Sequence, residues 1–203
     1  MLSKLQQTIA KAQLIEIADA RKPILDVFVE YCQQQIDSKK ELKLNFICTH
    51  NSRRSQLSQV WAKAAAYTHG ISLAAYSGGV EVTAFNERAI DSLVRSGFQV
   101  SSKGNENPHY HITYSIDAPP ILAFSKHYDS EVNPIDDFAA IMTCSDADQN
   151  CPFIPGASAR IPLRYEDPKA FDDTPQETEM YDNRSLQIAS EMFYVFKQLS
   201  VNP

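Results

Sequence analysis

A cysteine and an arginine separated by five residues are the first chemical feature of the chain. Cys48 and Arg54 lie within residues 42–62, where an apolar stretch gives way to a polar loop and then to a helical pattern. A thiol and a guanidinium on either side of a strand-to-helix turn can both point at one oxyanion. The residues between and just after them are Thr49, His50, Asn51, Ser52, Arg53 and Ser55.

The expected position of Cys48 favours a nucleophilic thiolate. At the carboxyl end of a parallel strand and just before a helix, backbone N–H groups converge and the helix dipole is positive. The same N–H groups would cradle a tetrahedral oxyanion, and Arg54 would add a bidentate clamp. Asn51 tolerates the positive φ that a closed anion loop often requires, and Ser55 can hydrogen-bond the thiolate. The alternative is a core cysteine beside a solvated pair of arginines. The predicted oxyanion-binding set is Thr49, His50, Asn51, Ser52, Arg53, Arg54 and Ser55.

Two more cysteines, Cys144 and Cys151, stand seven positions apart and are followed by a proline. If the segment between them were helical, their Cα atoms would lie about 10 Å apart at 1.5 Å per residue. A disulfide needs them within roughly 7 Å, so the pair can close only if the segment unwinds. Its polar composition suits a marginal turn. The alternatives are two inert thiols or a zinc site, and no histidine stands at ligand spacing to support zinc, so no metal is predicted.

Asp167 is a candidate general acid in an acidic stretch. Glu166, Asp172 and Asp173 lie close to it, and carboxylates in such a run are usually solvated charges. Glu166 is the obvious wrong assignment for this role.

The apolar periodicity predicts the elements that position these groups. Helices are expected at 3–19, 23–38, 54–69, 86–96 and 185–199, and strands at 44–47, 71–76 and 138–144, with a tight exit at Ser77, Gly78 and Gly79. Residues 101–108 form a predicted polar loop, and alternating runs at 109–116 and 121–128 suggest a hairpin. Residues 144–168 have little periodicity and are expected to be a functional or poorly ordered loop.

Alternating strands and helices indicate an α/β fold: a three-layer, doubly wound and mainly parallel sheet with right-handed crossovers. Residues 1–41 are expected to be an N-terminal helical extension, and residues 42–203 the main domain with an inserted hairpin at about 105–135. Cys32 falls on the apolar face of the second helix, where a cysteine usually acts as a small core hydrophobe.

The composition of the 203 residues excludes several classes of protein. A net charge of -6 argues against a nucleic-acid surface, since phosphate binding normally needs a basic face. No apolar run reaches the roughly 18 residues of a membrane span, and the N-terminus lacks the apolar block of a signal peptide. We therefore expect a cytoplasmic protein that contacts neither nucleic acid nor membrane. Four scattered cysteines do not form a disulfide scaffold.

The run from Cys48 to Ser55 resembles the Cys-X5-Arg-Ser anion loop of the low-molecular-weight protein tyrosine phosphatases and of the thioredoxin-coupled arsenate reductases with the same fold. The helix that follows and the later Tyr76-Ser-Gly-Gly79 are similar to the reductases. Cys144-X6-Cys151-Pro resembles their redox pair, which ordinary phosphatases lack. Asp167-Pro168 resembles the general-acid motif of both branches, although the tyrosine pair typical of eukaryotic phosphatases is replaced here by Lys169-Ala170.

The resemblance implies reduction of arsenate to arsenite by a thiol relay, with thioredoxin as the partner and no cofactor. Cys48 would be the nucleophile, Arg54 the clamp, Asp167 the acid, and Cys144 and Cys151 the relay thiols. The alternative is a phosphatase that forms a phosphocysteine, and a third hypothesis is a non-catalytic anion sensor. Arsenate and phosphate are near-isosteric anions that one loop can bind. Three residues depart from the reductase pattern: His50 replaces a common glycine, Arg53 an often-found cysteine, and Gln59 the glutamate of potassium-binding members, so no potassium site is predicted.

Overall fold

The computed structural model describes residues 1–150 and 153–200. Within these ranges six α-helices and seven β-strands alternate along most of the chain. They are α1 (Ser3–Leu14), α2 (Lys22–Asp37), β1 (Lys43–Cys48), α3 (Arg54–Thr68), β2 (Ala74–Gly79), α4 (Glu87–Ser96), β3 (Gln99–Lys103), β4 (His109–Thr113), β5 (Ile121–Ala123), β6 (Phe138–Met142), α5 (Ser145–Asn150), β7 (Ala157–Ile161) and α6 (Glu177–Lys197), with a 3-10 turn at Pro168–Phe171.

The main sheet has four parallel strands in the order β2-β1-β6-β7, and a separate antiparallel sheet has the order β3-β4-β5. The α/β fold predicted from the alternation of elements is therefore confirmed. In the register of β1 and β6, Ile47 lies opposite Met142, so the two strands end side by side. Two predicted functional cysteines, Cys48 and Cys144, follow these adjacent residues.

The strands β1 and β6 form the centre of the sheet, and apart from Lys43 and the buried Asn45 their side chains are apolar. Every residue of β6 is buried, and so is every residue of β1 after Lys43. Parallel strands covered by helices on both sides read as continuous apolar runs of this kind. The helix α4 is bounded by local signals: the Asn86 side chain accepts a hydrogen bond from the Arg88 N–H, and Gly97 ends the helix at a φ of +104°.

The N-terminal helices are part of the main hydrophobic core. Leu5 of α1 and Phe28 of α2 are fully buried in the same cluster as Phe193 and Phe196 of α6. Cys32 is fully buried there as well, as its apolar surroundings predict, and burial raises the pKa of its thiol far above the ordinary value. The predicted extension at 1–41 therefore packs against α6 as an additional layer of helix.

Several predicted element boundaries were wrong. The strand β2 starts at Ala74 rather than 71 and contains the Ser-Gly-Gly predicted to be its exit, and β3 takes up part of the predicted polar loop. The helix α6 begins at Glu177, eight residues before the predicted start, whereas α1 ends at Leu14. The apolar periodicity that predicts the helices also includes Leu14, Val27 and Val94, which are 86%, 48% and 45% exposed.

The segment predicted to be an irregular loop after Cys144 contains a short helix and an edge strand, α5 and β7. Tertiary pairing explains β7, because it hydrogen-bonds in parallel to β6 at the edge of the sheet. No helix within the described residues is long and apolar enough to cross a membrane.

Candidate active site

Cys48 lies at the end of β1, and the chain then turns through residues 49–53 into α3. The Cys48 side chain is buried, and its sulfur lies 3.0 Å from the Ser55 hydroxyl oxygen in the first turn of α3. Asn51 has a φ of +45°, as expected for a loop that must curve tightly around an anion. The strand, loop and helix are thus arranged as the sequence predicts.

A chain of hydrogen bonds orients the Ser55 hydroxyl toward the cysteine. The Asn51 side-chain amide donates to the Ser55 oxygen over 2.9 Å, which leaves the hydroxyl proton free to donate to the Cys48 sulfur. Asn51 is itself held by the Gln56 amide, which donates to its carbonyl oxygen and to its side-chain oxygen, and by the Lys126 backbone N–H. The network thus holds one O–H donor at the Cys48 sulfur.

Arg54 joins the loop to the candidate acid. Its Nη2 lies 2.7 Å from the Asp167 carboxylate, and its Nη1 donates to the Tyr165 carbonyl oxygen over 3.0 Å. The Arg54 Nε is buried and has no hydrogen-bond partner among the described residues. Asp167 also accepts from the Lys169 N–H and so begins the 3-10 turn. The structure therefore brings Arg54 and Asp167 together at the mouth of the loop.

Three side chains of the predicted oxyanion-binding set contact other partners. The His50 ring pairs with Glu81 at 3.1 Å and is 45% exposed, and the Ser52 hydroxyl donates to the Ala84 carbonyl. Arg53 donates to the Tyr181 hydroxyl, which in turn donates to Asp172. In this structure these three side chains therefore contact partners outside the loop.

The Tyr181 hydroxyl that Arg53 contacts has a raised pKa. Burial and the neighbouring Asp172 carboxylate raise the pKa of Tyr181 to about 12, so this hydroxyl stays protonated at neutral pH and keeps both hydrogen bonds. Arg53 is thereby fixed on the α6 side of the loop, with Asp172 balancing its charge at 3.5 Å.

Thr49 connects the anion loop to Cys144. Its hydroxyl oxygen lies 3.5 Å from the Cys144 sulfur and donates to the Asp146 carboxylate over 2.7 Å. The Cys144 sulfur also accepts from the Ala147 N–H at the start of α5. The structure therefore brings Cys144 to the edge of the loop that holds Cys48. Cys151, the other predicted relay cysteine, lies outside the described residues.

Sequence reasoning missed Gln56 and Lys126, which hold Asn51 from behind the loop. Gln56 lies in the first turn of α3. A glutamine immediately after the loop was the sequence signal that could have identified it. No local sequence pattern indicates a role for Lys126, because Asn51, which it contacts, is 75 residues away in the chain. Among the described residues, no group of three histidines, cysteines or acids is placed to hold a metal ion.

Sequence comparison finds staphylococcal arsenate reductases among the relatives of this chain. No family model matches the chain. An arsenate reductase of Staphylococcus haemolyticus is 31% identical over 123 residues, which cover 61% of this chain and 76% of the relative. An arsenate reductase of Staphylococcus aureus is also 31% identical, over 124 residues and with the same shares of the two chains.

Solved structures show the same fold. A low-molecular-weight phosphotyrosine phosphatase of Vibrio cholerae superposes with a TM-score of 0.52 at 12% identity, covering 76% of this chain and 93% of that one. An arsenate reductase in a phosphate-binding state superposes with a TM-score of 0.51 at 20% identity, covering 79% and 100%. The chain therefore belongs to the arsenate reductase family and is an enzyme of that family, built on the low-molecular-weight phosphatase fold.

Proposed function

We propose that this enzyme reduces arsenate to arsenite through a relay of three cysteines and returns to its reduced state by thiol exchange with thioredoxin. Cys48 is the proposed nucleophile, Arg54 the oxyanion clamp and Asp167 the general acid. Cys144 and Cys151 are the proposed relay thiols.

The observation that carries the proposal is the position of Cys144 beside the anion loop. Thr49, the residue next to Cys48, has its hydroxyl 3.5 Å from the Cys144 sulfur, and β1 and β6 are neighbours in the sheet. Hydrolysis of a phosphoester needs only one thiol at this site. A second buried thiol at the edge of the loop supports a reaction in which sulfur attacks sulfur.

The first chemical steps use the loop. An arsenate oxyanion binds the backbone N–H groups of the loop, and Cys48 attacks the arsenic as Asp167 protonates the departing oxygen, which leaves as water. Cys144 then attacks the Cys48 sulfur. The electron pair of the sulfur–arsenic bond stays on arsenic, arsenite leaves, and a Cys48–Cys144 disulfide remains.

The oxyanion can reach the Arg54 guanidinium in more than one way. Each Nη group of Arg54 has one protein partner in this structure, and the buried Nε has none among the described residues. An arsenate that takes Nη2 replaces the Asp167 carboxylate. The displaced carboxyl group would then lie beside the bound oxyanion, where the proposed general acid must be.

The last protein step transfers the disulfide outward. Cys151 attacks Cys144, which frees the Cys48 thiolate, and thioredoxin then reduces the Cys144–Cys151 disulfide with its own dithiol. Residues 145–150 are helical. Two residues seven positions apart in a helix have Cα atoms about 10 Å apart, whereas a disulfide needs them within roughly 7 Å. We therefore infer that α5 unwinds during this step.

A phosphatase is the alternative function, because Cys48, Arg54 and Asp167 form a complete set for a phosphocysteine mechanism without Cys144. The test compares arsenate-dependent oxidation of thioredoxin with hydrolysis of p-nitrophenyl phosphate, in wild type and in Cys144→Ser. We expect Cys144→Ser to abolish arsenate turnover and keep any phosphatase activity.

The control variant is Cys32→Ala, which removes a buried thiol far from the loop in sequence and should keep both activities. Wild-type protein that never oxidises thioredoxin in the presence of arsenate would contradict the reductase proposal. If Cys48→Ser keeps both activities, both enzymatic functions are wrong. Peptide mapping after mild oxidation provides a second test, since the relay requires a Cys144–Cys151 linkage.

A further inference from the structure

A cavity lies behind the anion loop, between the main sheet and the antiparallel sheet β3-β4-β5, which we call the insert. Its volume is about 300 Å³. Gln59 and Lys63 of α3 line one side, Tyr76 of β2 another, and the segment from Pro119 to Phe124 closes it from the insert. The insert thus builds a concave surface that the four-stranded sheet alone would not have.

Lys126 lines this cavity and carries a buried charge with no acidic partner. The residue is only 7% exposed. Its Nζ lies 3.4 Å from the Phe124 carbonyl oxygen and 4.7 Å from the centre of the Phe124 ring. None of the ion pairs among the described residues involves Lys126, and burial lowers its pKa to about 8. The ammonium group is therefore held by one carbonyl and one aromatic face.

A second ammonium group lines the same cavity. The Lys63 Nζ donates to the Leu73 carbonyl oxygen, and Lys63 likewise forms no ion pair with a described residue. Burial lowers the pKa of Lys63 as well. Two cations on one cavity repel each other and have lost much of their hydration, which costs free energy unless an anion compensates them.

The remaining wall of the cavity is apolar, and this favours one chemical class of anion over another. Pro120, Phe124 and Val132 offer hydrocarbon surface on the insert side of the cavity. An inorganic oxyanion would leave that surface unused, whereas a ligand with an apolar body would cover it. The chemistry of the walls thus favours an organic anion over phosphate or arsenate.

We propose that this cavity binds a small organic carboxylate with an apolar body, its carboxylate on the Lys63 and Lys126 ammonium groups and its body against the insert. The site is distinct from the anion loop, and its existence does not depend on arsenate reduction. Occupancy would be felt at the loop, because the Lys126 backbone N–H holds the Asn51 side chain.

Benzoate is the probe, measured by isothermal titration calorimetry with phosphate saturating the anion loop. We expect benzoate to bind wild type, and benzamide, the neutral analogue of the same shape, to bind far more weakly. Lys126→Met and Lys63→Met should each weaken benzoate binding by roughly tenfold or more, since each removes one charge contact. Lys103→Met, an exposed lysine on β3 of the same insert, is the matched control and should bind benzoate like wild type.

Three results would overturn the proposal: no binding of benzoate to wild type, equal binding of benzamide, or equal binding by Lys126→Met. Misfolding does not confuse the test, because replacing an unpaired buried charge by methionine should stabilise the fold, and thermal unfolding of each variant checks this. Arsenate turnover by the same proteins reports on the reductase proposal separately, so that either proposal can fail without the other.

Discussion

At the scale of single residues, one serine hydroxyl links the loop scaffold to Cys48, the proposed nucleophile. The Ser55 hydroxyl oxygen accepts a hydrogen bond from the Asn51 amide and lies 3.0 Å from the Cys48 sulfur. The hydroxyl proton is therefore directed at the sulfur. The effect depends on a buried geometry: in water a serine would exchange this partner for solvent. The contact is a property of the first turn of α3, where the helix N-terminus already favours negative charge.

Replacing Ser55 by alanine should therefore slow the first chemical step. We expect arsenate turnover to fall about tenfold, the usual effect of losing one charge-assisted hydrogen bond. Alkylation of Cys48 by iodoacetamide at neutral pH should slow in parallel. Ser92→Ala, which removes a buried serine from α4, is the control, and an unchanged alkylation rate in Ser55→Ala would contradict this role.

Lys126 gives a second prediction at this scale. Burial lowers its pKa to about 8, so the charged form of Lys126 destabilises the folded state at neutral pH. This destabilisation declines as the pH rises above about 8, the pKa of Lys126 in the folded protein. It disappears once the pH exceeds about 10.5, the pKa in the unfolded chain. Lys126→Met should thus raise the free energy of unfolding at pH 7 by up to about 3 kcal/mol.

The advantage of Lys126→Met over wild type should shrink as the pH rises from 8 toward 10.5. Chemical denaturation at a series of pH values measures it. Lys63 lines the same cavity, so both proteins are compared in a Lys63→Met background, where the difference isolates Lys126. A difference that grows with pH would show that the ammonium group stabilises the fold.

At the scale of elements, the helix α5 is held in place by an acidic residue between two arginines. The Asp148 side chain is 3% exposed and pairs with Arg160 from β7 and with Arg164, which follows that strand. Arg160 also donates to the Asp148 carbonyl oxygen. These contacts tie a six-residue helix, too short to be stable alone, to the edge of the sheet.

Asp148→Asn should loosen α5 and speed the disulfide transfer that requires unwinding. The substitution keeps the shape and removes the charge that attracts both arginines. We expect the Cys144–Cys151 disulfide to form several times faster after mild oxidation, followed by peptide mapping over time. Asp182→Asn, which breaks an exposed ion pair on α6, should leave the rate unchanged. If Asp148→Asn slows disulfide formation, the contacts position the thiols instead of restraining them.

At the scale of the whole molecule, the N-terminal helices and the main domain share one hydrophobic core. Phe28 is fully buried, whereas its neighbour Val27 is 48% exposed. Phe28→Ala should lower the free energy of unfolding by about 3–5 kcal/mol, the usual cost of emptying an aromatic core position. Val27→Ala should change it by less than about 0.5 kcal/mol. Chemical denaturation compares the two, and a small effect of Phe28→Ala would show that residues 1–41 fold apart from the rest.

The sequence alone determined the local parts of the site. A strand, a loop with Asn51 at positive φ, and a helix that starts at Arg54 follow from residue types within a few positions of one another. Local chemistry is enough here, because backbone conformation and helix N-termini depend on near neighbours. The same holds for the α4 boundaries, where Asn86 and Gly97 mark the two ends.

Only the tertiary structure decided which distant residues meet at the loop. Asp167 at Arg54, Cys144 beside Thr49 and Lys126 behind Asn51 are contacts across 75 to 113 residues. The Cys144 contact follows from the order β2-β1-β6-β7, which places the ends of β1 and β6 side by side, and no periodic pattern encodes that order. The edge strand β7 was missed for the same reason, since its pairing with β6, rather than its own sequence, makes it a strand.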